Sequence, residues 1–257
     1  MDDAHVWTLR ENVRYISILL LALLYIILET RLMLALLLSW IVYILILGNI
    51  RHLSRDNKLT FFLRTTLYFF PYMLPALFLI SLEIKFTIQV LRYCFLAIGI
   101  FLVWLCINFK PIRISLSDVV IANTSKESKY VLFLRKYNLI GAAICEEFFF
   151  RGFILSLDAP ITVLVPTSVL LFVLSHYILP WGRAFTNKDY VNQLVFGLIS
   201  AAIFIFSGSI LPCILLHLLF NSPTIIGAIR CYDRHYLRKK YFDKLILEKK
   251  RYIELDI

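Results

Sequence analysis

Charge is scarce in this sequence: 17% of its 257 residues are Asp, Glu, Lys or Arg, against 60% that are hydrophobic. So small a charged share excludes an ordinary soluble domain, and a positive mean hydropathy places the chain in the membrane class. Cysteine is sparse and odd in number. Cys94, Cys106, Cys145, Cys213 and Cys231 are scattered through apolar stretches or a basic tail, which excludes a disulfide framework and a CxxC metal motif. No internal repeat or low-complexity segment is present. The chain begins Met1-Asp2-Asp3 and its first apolar stretch lacks a small-residue cleavage site, so that stretch reads as a retained anchor. Acids number only 17 against 27 basic residues. In a soluble protein a net charge of +10 would suggest nucleic acid, but here the basic residues sort by loop and no nucleic acid partner is expected.

What is present is apolar length. Stretches approaching the roughly 20 residues that cross about 30 Å of hydrocarbon recur along nearly the whole chain. They lie near 15–28, 32–50, 59–82, 86–109, 137–157, 161–179, 191–206 and 210–229. The expected fold is therefore all-α, a polytopic membrane bundle of about eight helices with no separate soluble domain. Only Glu29, Thr30 and Arg31 separate the first two stretches, which form either a tight hairpin or one broken, tilted element. With eight spans, the Lys and Arg residues of 51–64, 110–136, 183–188 and 230–251 share one side with Arg10 and Arg14. The other side holds little beyond Arg31, Lys85 and Arg92. By the positive-inside rule both termini are then cytoplasmic.

The chain divides into scaffold helices over 1–109, a polar connection over 110–136, a helical core over 137–229 and a basic tail over 230–257. The run from Asn123 to Lys129 predicts a solvated loop. The tail mixes Lys and Arg with Tyr236, Tyr241, Phe242, Leu245 and Ile246, which fits a basic amphipathic helix on an anionic leaflet or an ordinary cytoplasmic tail.

The rear half carries polar groups at depth. Glu146, Glu147 and Arg151 fall within one expected span, where each charge costs about 2.5 to 3.5 kcal/mol and needs partners or water. Helical spacing pairs Glu147 with Arg151, four residues on, and turns Glu146 about 100° away without that partner. A desolvated Glu146 suits a general acid or base. The next span sets His176 one turn beyond Phe172 on the same face, and the last aligns His217 with Asn221. Three separate spans thus supply an acid, two imidazoles and an amide. Cys145 and Ser175 adjoin Glu146 and His176 in sequence but point elsewhere on their helices, so neither is expected as a nucleophile.

The ordered set Glu146-Glu147-xxx-Arg151, Phe172-xxx-His176 and His217-xxx-Asn221 resembles that of the CPBP family. That family includes the type II CAAX prenyl endopeptidases and the bacterial CAAX-protease and bacteriocin-processing, or Abi, enzymes. The resemblance runs from about Gly141 to Asn221, through Phe196-Gly197-Leu198 and Ser207-Gly208-Ser209-Ile210-Leu211-Pro212. It implies an intramembrane endopeptidase in which Glu146 and His176 activate water, while His217 and Asn221 stabilise the oxyanion. Glu147 and Arg151 would shape the site, and Phe172 would wall it. No cofactor is required by that scheme. A zinc ion, if used, would take Glu146, His176 and His217 with water in the fourth position, though the sequence has no HExxH motif. The expected partners are a membrane-associated peptide or protein substrate and the bilayer, in the plasma membrane of a bacterial cell. Two other functions fit buried acids and histidines. One is a proton- or ion-coupled transporter, which predicts a symmetry between the halves that the sequence lacks. The other is a non-catalytic adaptor or immunity protein of the same family, which predicts the loss of a motif residue, and none is lost.

Overall fold

The computed structural model describes residues 3–75, 86–178, 186–238 and 243. Among these no strand occurs. The helices are α1 (Asp3–Leu28), α2 (Arg31–Asn49), α3 (Lys58–Leu67), α4 (Ile88–Ile107), α5 (Phe109–Ser115), α6 (Asp118–Ala122), α7 (Lys129–Glu147), α8 (Ile161–Ile178), α9 (Asn187–Ser207) and α10 (Leu211–Tyr232). By length and composition, six helical stretches within α1, α2, α4, α8, α9 and α10 with its continuation to Leu237 suffice to cross a bilayer. The chain is thus an all-α, multi-pass membrane bundle. Its outer faces agree: Leu19, Ile27, Phe95 and Val103 are exposed, an arrangement suited to lipid rather than water.

Two expected spans take another form. The third was drawn as one helix over 59–82, but α3 ends at Leu67 and a 3-10 turn, Phe70–Tyr72, follows. Pro71 in that turn has no backbone N–H to continue an α-helix. The rest of that span, from residue 76, lies outside the described residues. The fifth was drawn from Tyr137, whereas α7 begins at Lys129, where the Ser128 side chain accepts from the Val131 N–H. The connection over 110–136 is accordingly helical in α5, α6 and the start of α7, and 116–117 and 123–128 are free of helix. The tail expected beyond Leu237 falls outside the described residues apart from Arg238 and Asp243.

The first two stretches form a hairpin of separate helices. Thr30 caps α2 by accepting from the Met33 N–H at 3.2 Å, and Glu29 makes the turn at φ 48°. Trp40 Nε1 on α2 donates to Ser17 Oγ on α1 at 2.9 Å, and both residues are fully buried. At the other end of the chain Gly208 closes α9 at φ 63°, its N–H donating to the Phe204 carbonyl at 2.9 Å. That left-handed backbone is the usual preference of a glycine just past a helix end.

Helix α10 packs along α7 and α4 and touches α9, while α8 packs on α9 and α1. The helices that carry the polar motifs therefore enclose one another. Helix α3 and its 3-10 turn seal the near side of α7, where Phe69 lies against Gly141 and meets the Tyr137 ring edge-on at 5.3 Å. A Cβ at Gly141 would overlap the Phe69 ring. Gly141→Ala is expected to destabilise the fold by about 1–3 kcal/mol through overpacking. Unfolding titrations in a fixed detergent, with Phe69→Leu as the relieving second change, check this.

Candidate active site

Glu146 and Glu147 are the last residues of α7, and the chain then widens into a π-helical turn, Phe148–Phe153. Such a turn interrupts the regular backbone ladder and is stable where a neighbour supplies the missing bond. Here Ser168 Oγ of α8 donates to the Phe150 carbonyl at 2.6 Å. Phe149, Phe150 and Phe153 fill the core around the turn and are almost fully buried. The two acids are thereby fixed at a bend gripped from several sides.

Glu147 is fully buried and fully engaged. Its Oε1 lies 2.8 Å from His217 Nδ1, and its Oε2 accepts from Ser200 Oγ at 2.8 Å. Arg151 Nε stands 3.3 Å from that same Oε2, the ion pair that the four-residue spacing predicts. The guanidinium, also fully buried, reaches the Gly197 carbonyl through Nη2 at 3.3 Å and lies 4.7 Å over the Phe172 ring. A cation over an aromatic face in a dry site is favourable beyond simple packing. Helices α7, α8, α9 and α10 thus meet at one charge cluster.

Glu146 is placed differently. It is 4% exposed, and its Oε2 has no hydrogen-bond partner among the described residues. His217 faces it, with Nε2 3.9 Å from that oxygen. One side of the His217 ring is therefore tied to Glu147 and the other faces Glu146. A carboxylate only accepts, so the Glu147 contact puts a proton on Nδ1.

His176 lies on α8 with Nδ1 2.9 Å from the Phe172 carbonyl. A carbonyl likewise only accepts, so that ring carries its proton on Nδ1 and presents Nε2 as a lone pair. Phe172 separates the two imidazoles, its ring centroid 4.6 Å from His176 and 6.1 Å from His217. Ser175 Oγ comes within 3.4 Å of His176 Nδ1, but its proton goes to the Phe172 carbonyl at 2.7 Å. Cys145 Sγ faces Met73 Sδ at 3.7 Å, away from any base.

Asn221 lies one turn beyond His217 on α10 and is bonded to α7. Its Nδ2 donates to the Leu139 carbonyl, two turns back from Glu146 on α7, at 3.0 Å. One of its two N–H bonds is thereby spent on holding α10 to α7. Among the described residues no three histidine, cysteine or acid side chains stand close enough to hold a metal ion together. Glu146, His176 and His217 form no such group.

Several participants were not singled out from the sequence. Ser200 and the Gly197 carbonyl complete the Glu147–Arg151 pair, and Phe196 stacks edge-on to His217 at 4.9 Å. Their signal was faint but present: Phe196 and Ser200 are four residues apart on α9, so a single polar side chain shares a face with an aromatic one. No match is found among curated proteins or among solved structures. Residues 128–223, which contain every motif side chain named above, match the family model described as type II CAAX prenyl endopeptidase, Rce1-like, the affinity implied by the order of the three motifs.

Proposed function

We propose that the chain is an intramembrane endopeptidase that hydrolyses a peptide bond in a membrane-associated substrate, with Glu146 as general base. The observation that carries this reading is the buried Glu146 carboxylate, unpartnered at Oε2 and facing His217 Nε2 across 3.9 Å. That spacing is too long for a direct hydrogen bond, so the carboxylate oxygen is left to accept from a water. An acid held only to stabilise the bundle would be paired as Glu147 is.

Charge balance gives the roles. With Glu146 and Glu147 ionised, Arg151 and an imidazolium at His217 neutralise the cluster. Water placed between Glu146 and the His176 Nε2 lone pair loses a proton to Glu146 as its oxygen attacks the substrate carbonyl carbon. The carbonyl π electrons move onto oxygen, and His217 Nε2–H with the remaining Asn221 N–H stabilises that oxyanion. Collapse of the intermediate breaks the C–N bond, and Glu146 returns the proton to the leaving amine. Electrons and protons balance without another reactant. The family match favours a peptide with a prenylated CAAX end, and the sorting of Lys and Arg by loop favours its presentation from the cytoplasmic side with both termini of the enzyme inside.

The first test is cleavage of a farnesylated CAAX peptide by purified protein in liposomes, with a proteome-wide comparison of membrane-protein C-termini with and without the Glu146→Gln variant. New termini that depend on Glu146 are expected. Identical termini in both strains, with an intact peptide, would reject the reading. Activity that survives exhaustive chelation is expected; stoichiometric zinc tracking activity would instead assign the water to a metal.

A further inference from the structure

Two phenols from the front half of the chain stand where that reaction needs a donor. Tyr43 on α2 is 2% exposed and Tyr72, in the 3-10 turn after α3, is 1% exposed. Their ring centroids are 4.1 Å apart. Neither hydroxyl makes a hydrogen bond among the described residues, and neither does Glu146 Oε2. The three groups are neighbours: Tyr72 packs on Phe149 and Phe150 of the turn that follows Glu147, at 5.2 and 5.3 Å, and Met73 touches Cys145 beside Glu146.

Buried hydroxyls without partners are rare because each forfeits the solvation it had in water. Two of them in the packing around the segment that carries an unpartnered buried carboxyl leave donors and an acceptor that only a small polar molecule can serve, and water is such a molecule. We propose that Tyr43 and Tyr72 are positioning residues that hold the hydrolytic water against Glu146, Tyr72 directly and Tyr43 by orienting Tyr72. This rests on the protease reading and extends the site beyond residues 128–223 to the front helices, which on sequence alone look like scaffold.

Tyr72→Phe and Tyr43→Phe remove one oxygen each and keep the ring packing. With the farnesylated CAAX peptide in liposomes, Tyr72→Phe is expected to lower kcat at least tenfold with KM within about twofold, and Tyr43→Phe about threefold. A second measurement needs no turnover. In pH-difference infrared spectra, the carboxyl band that vanishes in Glu146→Gln is expected to shift in Tyr72→Phe, because a hydrogen-bond donor near that carboxyl has gone. If Glu146→Gln abolishes cleavage while both phenylalanine variants keep wild-type kcat and an unmoved band, the phenol assignment is overturned and the protease reading stands. If the wild type cleaves nothing, the protease reading fails, and the band alone decides whether the hydroxyls address Glu146.

Discussion

Glu146→Gln is expected to lower peptide hydrolysis by at least about 10²-fold, and up to about 10⁴-fold, while the protein folds and inserts as before. The magnitude is that of losing a positioned general base, since the amide of glutamine keeps the shape but takes no proton from water. Folding survives for a reason visible in the site. Among the described residues the Glu146 Oε2 makes no hydrogen bond, and His217 Nε2 stands 3.9 Å from it, so the substitution breaks none of their bonds at that oxygen. A neutral side chain also removes the cost of burying a charge. Unfolding midpoints equal to or slightly above wild type are expected in the same detergent. His176→Ala is the companion variant, with a comparable loss of turnover and intact insertion. Single-turnover cleavage in liposomes separates chemistry from product release. Retained proteolysis in both variants would sink the assignment of this acid and this ring.

The contrast between neighbours explains which parts of the site were legible in the sequence. The helical period alone pairs Glu147 with Arg151 and leaves Glu146 over, and the 3.3 Å contact and the unpartnered Oε2 follow that pattern. The single-helix spacings of Phe172 with His176 and of His217 with Asn221 were equally plain. Contacts between helices were not, because they depend on how rods cross rather than on any local spacing. Ser200 on Glu147, Asn221 on the Leu139 carbonyl and Tyr72 on Phe149 all join residues from 53 to 82 positions apart. The π-turn was illegible for the same reason: its stability depends on Ser168, 18 residues away from Phe150.

Apolarity alone does not mark every helix of the bundle. Helix α7 carries Lys129, Arg135, Lys136, Glu146 and Glu147, so it is not among the six stretches apolar enough to stand as spans, although it holds the centre of the bundle. A hydropathy scan therefore hides the helix that function has made polar. The third stretch erred the other way. Its residues read as a continuous apolar run, yet Pro71 ends the helix and sets Tyr72 into the core.

Glu147→Leu is expected to cost about 3–5 kcal/mol of stability, the largest structural effect of any single change in the site. It strips three donors of their acceptor at once: Arg151, His217 Nδ1 and Ser200 Oγ. Arg151 is fully buried, so the guanidinium left behind is an uncompensated charge in a medium that solvates it poorly. Arg151→Met alone should cost a similar amount, since it takes the guanidinium countercharge away from the buried Glu147 carboxylate. The double variant Glu147→Leu with Arg151→Met removes both charges and should fall well short of the sum, a coupling measurable by a double-mutant cycle in unfolding titrations. Catalysis follows a different rule. Neither the double variant nor Glu147→Gln, which keeps an acceptor for Ser200, restores the anion behind His217, so both should remain at least about tenfold slow even where folding is recovered. Full activity in the stable double variant would show that the imidazolium needs no partner, and His217 would lose its place at the oxyanion. Additive stability losses would show instead that the acid and the guanidinium serve separate parts of the bundle.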